Sequence, residues 1–156
     1  MARRAGVLLP LFSLRNASDW GVGEIPDLVP FSAWAASAGF SVVQMLPVNE
    51  AAGGQNSPYA ALSAFAIDPV LISMDRVEDF AGAGGLAAMG DDDRADHAQA
   101  KASLSIRWQK VKRLKARALE IAFNRFHDRE WKPQTTRAKS FQAYCREHAE
   151  WLEEYA

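Results

Sequence analysis

A chain of 156 residues, 49% of them apolar, has enough material for one packed domain. Its formal net charge of −1 removes any global electrostatic argument for nucleic acid or an anionic membrane. Its single cysteine, Cys145, excludes an internal disulfide and a multi-cysteine metal site, and fits a reducing compartment. Met1-Ala2-Arg3-Arg4 and the apolar run behind it imitate a signal peptide, but Pro10 interrupts the run and no small-x-small cleavage pattern follows. No apolar run approaches the ~20 residues of a membrane span. These features predict a soluble, cytoplasmic protein with no nucleic-acid or membrane partner.

In chain order, Ala5 to Leu9 is a continuous apolar run closed by Pro10, as expected of a strand buried on both faces. Residues 12–23 form a loop in which Gly21 and Gly23 are expected to permit positive φ. This Gly-x-Gly lacks the third glycine and the strand spacing of a dinucleotide site. Residues 24–38 read as a helix with Leu28, Phe31 and Ala35 at helical spacing. Pro26 suits its first turn, Pro30 is awkward, and Gly39 terminates it. Ser41 to Leu46, closed by Pro47, is a second buried strand. Strand, helix and strand make one βαβ unit of parallel strands, which wants further parallel neighbours.

Next comes Gln55-Asn56-Ser57-Pro58-Tyr59. Gly53 and Gly54 make its approach flexible, and Pro58 biases Ser57 toward an extended shape. A loop so held, carrying Tyr, Ser and Asn, is either a ligand-binding loop or a structural turn whose tyrosine packs on the core. Residues 61–66 read as a short helix or turn, and residues 70–74 as a short extended segment. Residues 82–96 read as a surface linker, with Asp91-Asp92-Asp93 a solvated loop rather than a metal site. Residues 104–126 form the longest helix. Leu104, Trp108, Val111, Leu114, Ala118, Ile121 and Ala122 are its buried face, and Arg107, Lys110, Lys112, Arg113, Lys115 and Arg117 its other face. That basic face is either a nucleic-acid or protein adaptor or, as net neutrality favours, an ordinary solvated flank. Residues 127–136 read as a polar connection, with Thr136 capping a last helix on which His148 packs. Cys145 has no activating partner near it in sequence, so no catalytic thiol is expected.

Several blocks then carry a resemblance. They are residues 6–15 (GVLLPLFSLR), Asp19-Trp20-Gly21-Val22-Gly23-Glu24, Gln44-Met45-Leu46-Pro47-Val48-Asn49, Ser57-Pro58-Tyr59 and Ser63-Ala64-Phe65-Ala66. In this order they resemble the N-terminal part of the 4-α-glucanotransferases, the amylomaltases or disproportionating enzymes of glycoside hydrolase family 77. The resemblance is dense to about Met74. Beyond it, Trp151-Leu152-Glu153-Glu154-Tyr155-Ala156 looks like the family's Trp-Leu-x-x-Tyr-Ala signature. Ile67-Asp68-Pro69 departs from the Gly-Asn-Pro of many relatives. Arg15 replaces the proline of the shortest relatives and looks closer to the plant cytosolic branch.

The resemblance implies an α/β fold, the N-terminal part of a (β/α)₈ barrel, whose full form needs ~250 residues. Residues 1–80 would be the first βαβ unit with a substrate loop. Residues 81–156 would be a linker and helical insertion of the same, truncated, catalytic domain. It implies transfer of α-1,4-glucan segments between maltooligosaccharides with retention, and hence starch and glycogen metabolism. Retention requires a nucleophilic carboxylate and a carboxylic acid ~5–5.5 Å apart. No carboxylate here, Asp19, Glu24, Glu50, Asp68, Asp75, Glu78 or Asp79, matches the family's catalytic motifs, so no catalytic residue is assigned and the chain alone is expected to be inactive. By resemblance Tyr59 contacts the donor sugar, with Ser57 and then Asn49 as weaker candidates. No metal or cofactor is implied. A non-catalytic carbohydrate-binding fragment and an adaptor built on the 104–126 helix are the alternatives.

Overall fold

The computed structural model describes residues 3–52 and 57–155. The expected flexible approach at Gly53 and Gly54, with Gln55 and Asn56, lies outside the described residues, as does Ala156. Strands β1 (Gly6–Leu9) and β2 (Val42–Met45) pair in parallel, Gly6 beside Val42 and Leu9 beside Met45. Between them a 3₁₀ turn (Ile25–Asp27) leads into helix α1 (Leu28–Ser37). Pro30 therefore falls in the first helical turn, where its missing N–H costs nothing. The helix ends in a left-handed Gly39, φ 86°. Gly39 N–H donates to Ala36 O and Phe40 N–H to Ala35 O, both at 3.0 Å, which satisfies carbonyls the last turn leaves free.

The two-stranded sheet is not where the core lies. Leu8, Val42 and Met45 are exposed, and α1 buries only Ala35. The core gathers instead on α4 (Trp108–Phe126). One cluster joins Trp20, Met74, Phe80 and Met89 to Leu114, Ala118 and Ala122; a second joins Leu11, Val22, Val70, Leu71 and Ala100 to Val111. Edge-to-face rings tie the same parts together, Phe12 with Trp108 at 5.2 Å and Trp20 with Phe80 at 5.7 Å.

Several expectations are corrected here. Residues 70–74 are not extended; 3₁₀ turns Pro69–Leu71 and Met74–Arg76 bury Val70, Leu71 and Met74. An apolar run that short reports burial, not conformation. Residues 82–96 are no surface linker. After helix α2 (Glu78–Gly82), Met89 is buried and α3 (Asp91–Ala102) begins. The three aspartates are its first turn, where carboxylates meet the positive end of the helix dipole.

Helix α4 begins at Trp108 rather than Leu104, whose side chain is fully exposed. The Ser103 hydroxyl donates to Ser105 O at 2.7 Å, a local turn that competes with helix. The polar connection is largely helical too: a π-helical turn, His127–Trp131, continues α4. Thr135, not Thr136, caps α5 (Thr136–Glu147), accepting from Ala138 N–H. The last helix breaks at His148 and resumes as α6 (Ala149–Tyr155).

Of the two loop glycines only Gly21 takes positive φ, 96°. Gly23 is required by crowding: a Cβ there would lie 2.3 Å from Leu11 O.

Candidate functional site

Beyond β2 the chain folds back on itself. Asp68 N–H donates to Val48 O (2.9 Å), Glu50 N–H to Ala66 O (3.2 Å), Leu62 N–H to Glu50 O (2.7 Å) and Ala52 N–H to Ala60 O (2.8 Å). Isolated antiparallel bridges pair Asn49 with Ile67 and Ala51 with Ala61. Residues 61–66 are thus one arm of an irregular hairpin rather than a helix. Its tip carries Ser57, Pro58 and Tyr59. Ser57 O accepts from Ala60 N–H at 3.1 Å, and its hydroxyl oxygen accepts from Tyr59 N–H at 3.3 Å. Tyr59 is 72% exposed.

At the foot of the hairpin Asp68 Oδ1 accepts from Val70 N–H (2.9 Å), and Lys112 Nζ stands 3.5 Å from Asp68 Oδ2. Asn49 donates its side-chain amide to Ala64 O (3.0 Å) and Ala66 O (3.3 Å), tying the two arms together. Asn49 and Ser57 share a cleft with Phe12, Val48, Trp108 and Lys112, and Tyr59 stands outside it. The cleft measures about 40 Å³. A water needs roughly 10–15 Å³ on this measure, so the cleft takes a few waters and no sugar ring.

Of the other carboxylates, Asp19, Glu24, Glu50 and Asp79 are engaged in hydrogen bonds or ion pairs within the chain. Asp19 is fully buried, taking Arg15 Nε at 2.8 Å, Asn16 N–H at 2.6 Å and Gly21 N–H at 2.8 Å. Asp79 accepts from Arg125 (2.7 Å) and from Arg137. Its burial would raise the carboxyl, but the two guanidiniums prevail and hold it below the usual range. Glu50 accepts the Tyr155 hydroxyl. Asp75 and Glu78 lie exposed on the surface.

Glu24 meets a partner that the basic-face reading put in solvent. Lys115 is 1% exposed, and its ammonium donates to Glu24 Oε1 (2.6 Å), Val70 O (2.6 Å) and Ile72 O (2.8 Å). All three protons are used. Burial pushes the Lys115 ammonium down and the Glu24 carboxyl up, each opposed by the other's charge. The signal was available: Val111, Lys115, Ala118 and Ala122 are spaced by four, three and four. Charge alone assigned Lys115 outward.

Residues 9–156 match the family model described as 4-alpha-glucanotransferase. The chain is similar to 4-alpha-glucanotransferase DPE2 of Oryza sativa subsp. japonica, 33% identical over 99% of this chain and 16% of the relative. It is similar to a 4-alpha-glucanotransferase of Synechocystis sp., 33% identical over 99% of this chain and 28% of the relative. A Chlamydia pneumoniae 4-alpha-glucanotransferase is 42% identical over 44% of this chain and 13% of the relative. The chain thus spans 13–28% of the length of these relatives.

Proposed function

The chain belongs to the 4-α-glucanotransferase family, and from that premise we propose that it supplies part of the sugar-facing surface of an enzyme that passes α-1,4-glucan segments between maltooligosaccharides with retention of configuration. In this reading β1 and β2 are the first strands of a (β/α)₈ barrel, and the helices from α2 onward are an insertion in the same domain. The substrate is a maltooligosaccharide or α-1,4-glucan. A cytoplasmic setting and a part in starch or glycogen metabolism belong to the same reading.

The observation that carries it is Tyr59. It is exposed at the tip of a hairpin rising from the C-terminal end of β2, the end at which barrel enzymes build their sites. An aromatic face covers the apolar face of a pyranose, and the phenol reaches its hydroxyls. The Ser57 oxygen accepts Tyr59 N–H and leaves its own proton to give. Asn49 braces the arms and contributes through them. The chain's share is binding; bond exchange needs carboxylates beyond those described above.

The adaptor alternative draws no support from the charges of α4. Arg113 pairs with Asp93 and Asp96, Lys110 with Asp96, Arg117 with Glu120, Arg125 with Asp79 and Lys112 with Asp68, and Lys115 is buried.

Titration of the chain with maltotriose, followed by NMR, tests the proposal. Shifts centred on residues 57–59, lost in Tyr59→Ala, are expected. Stability of that variant should stay within about 0.5 kcal/mol of the parent, as for a surface change. A loss of roughly 3–5 kcal/mol, the cost of deleting a core aromatic, or shifts that ignore residues 57–59, would refute the role. The chain alone should transfer no glucan, and glucose release from maltotriose by purified chain would count against the missing carboxylates.

A further inference from the structure

The tip of the hairpin makes its hydrogen bonds only within the hairpin among the described residues. Its posture therefore depends on what holds the two arms. Both arms are gripped by α6. Tyr155 donates its hydroxyl to Glu50 on the outgoing arm. Trp151, one turn earlier, lies nearly parallel to Phe65 on the returning arm, ring centroids 5.9 Å apart and planes at 23°. Glu50 pairs across the hairpin with Ala66, the residue after Phe65, and with Leu62: Glu50 N–H donates to Ala66 O and Glu50 O accepts from Leu62 N–H.

We propose that Trp151 and Tyr155 are positioning residues: together they fix the rotation of the hairpin arms and so the attitude in which Tyr59 is presented. The sugar half of this statement rests on the function proposed above. Three features make the grip suited to the task. A phenol-to-carboxylate bond is charge-assisted. Glu50 and burial push the Tyr155 hydroxyl up to about 12, so the proton stays in place throughout the neutral range. The contacts lie between foot and tip, so a small rotation of the arms becomes a larger displacement of Tyr59.

The 156-residue chain has three tyrosines, Tyr59, Tyr144 and Tyr155. Labelling them with 3-fluorotyrosine makes Tyr59 visible by ¹⁹F NMR, and amide exchange reads the ladder. In Tyr155→Phe and Trp151→Ala, exchange at Glu50, Ala52 and Leu62 should accelerate at least tenfold. Amides of α4 should not change. The Tyr59 resonance should move, the apparent Kd for maltotriose should rise at least threefold, and Trp151→Phe should restore all three. Ladder amides and a Tyr59 resonance indifferent to both variants would overturn the grip. A moved resonance with unchanged maltotriose affinity would overturn its bearing on the sugar. If the parent chain shows no maltotriose binding while ladder and resonance respond, the grip stands and the sugar reading falls.

Discussion

Lys115 occupies a position in the apolar stripe of α4 that a leucine or methionine would fill in most helices. Its ammonium is tolerable there because Glu24 and two carbonyls surround it. Removing the lysine alone strands a buried carboxylate. Lys115→Ala should therefore lower the unfolding free energy by roughly 3–5 kcal/mol, whereas Lys115→Met combined with Glu24→Gln should cost far less. Urea unfolding of the three proteins measures both. A double variant as unstable as the single would show that the carbonyls of Val70 and Ile72 left without a donor, not the stranded carboxylate, explain the loss.

At the scale of elements, two glycines separate conformational strain from collision. Gly39 closes α1 with φ 86°, and a Cβ there meets nothing within 4 Å. Gly39→Ala should cost only the left-handed penalty, about 1–2 kcal/mol. Gly21 has φ 96°, and a Cβ there would lie 2.9 Å from Ala100 O, so Gly21→Ala should cost more and loosen α3 from the β1 loop. Thermal melts order the two, and equal losses would contradict the crowding. The same elements show what could be read from residues alone. β1, β2 and the Gly39 stop were legible because apolar runs and a left-handed glycine are local signals. The hairpin at 48–68 was not, since its ladder pairs residues whose own pattern is mixed. The first turn of α3 was missed because adjacent aspartates look solvated whether in a loop or at a helix start. The loop sequence alone left a binding loop and a turn with a core-packed tyrosine both open for Ser57 and Tyr59; the exposure of Tyr59 speaks against the second. The grip of Trp151 and Tyr155 could not be read from sequence, because it joins residues 86 and 105 positions apart.

For the whole molecule, the accessible surface is 9997 Å², against about 7,800 Å² for a closed monomer of this mass. The apolar part of the surplus includes Leu8, Val42 and Met45 on the sheet and Val29 and Trp34 on α1. The chain is expected to bind a hydrophobic dye in its native state; absence of dye fluorescence at neutral pH would contradict this. Its stability should also depend on pH through His97. The ring is buried against Trp20 at 4.8 Å, and its Nε2 has no partner among the described residues. Burial, helped by Lys101 and opposed by Asp75 and Asp19, sets its pKa below 6.5. The unfolded chain thus binds the proton first, so this contribution is whole above pH ~6.5 and is lost as pH falls toward the folded value. Asp79, held low by its two arginines, adds a second loss below its ordinary 3.8. Melting temperature should fall between pH 7 and 5, and His97→Phe should flatten that fall.

The placement of the core on α4 bears on how the chain is made. Both apolar clusters need residues after Trp108, and the Lys115–Glu24 bond closes a loop of 91 residues. Closing that loop costs chain entropy that the local helical contacts cannot repay before α4 is present. At roughly 5–20 residues per second of synthesis, Trp20, Met74 and Phe80 wait several seconds for the helix that covers them. A chain ended just before Trp108 should show no cooperative unfolding transition by circular dichroism, while one carried through Phe126 should show one. During translation, then, the βαβ half holds its share of both apolar clusters uncovered until the helical half emerges, although it comes first in sequence.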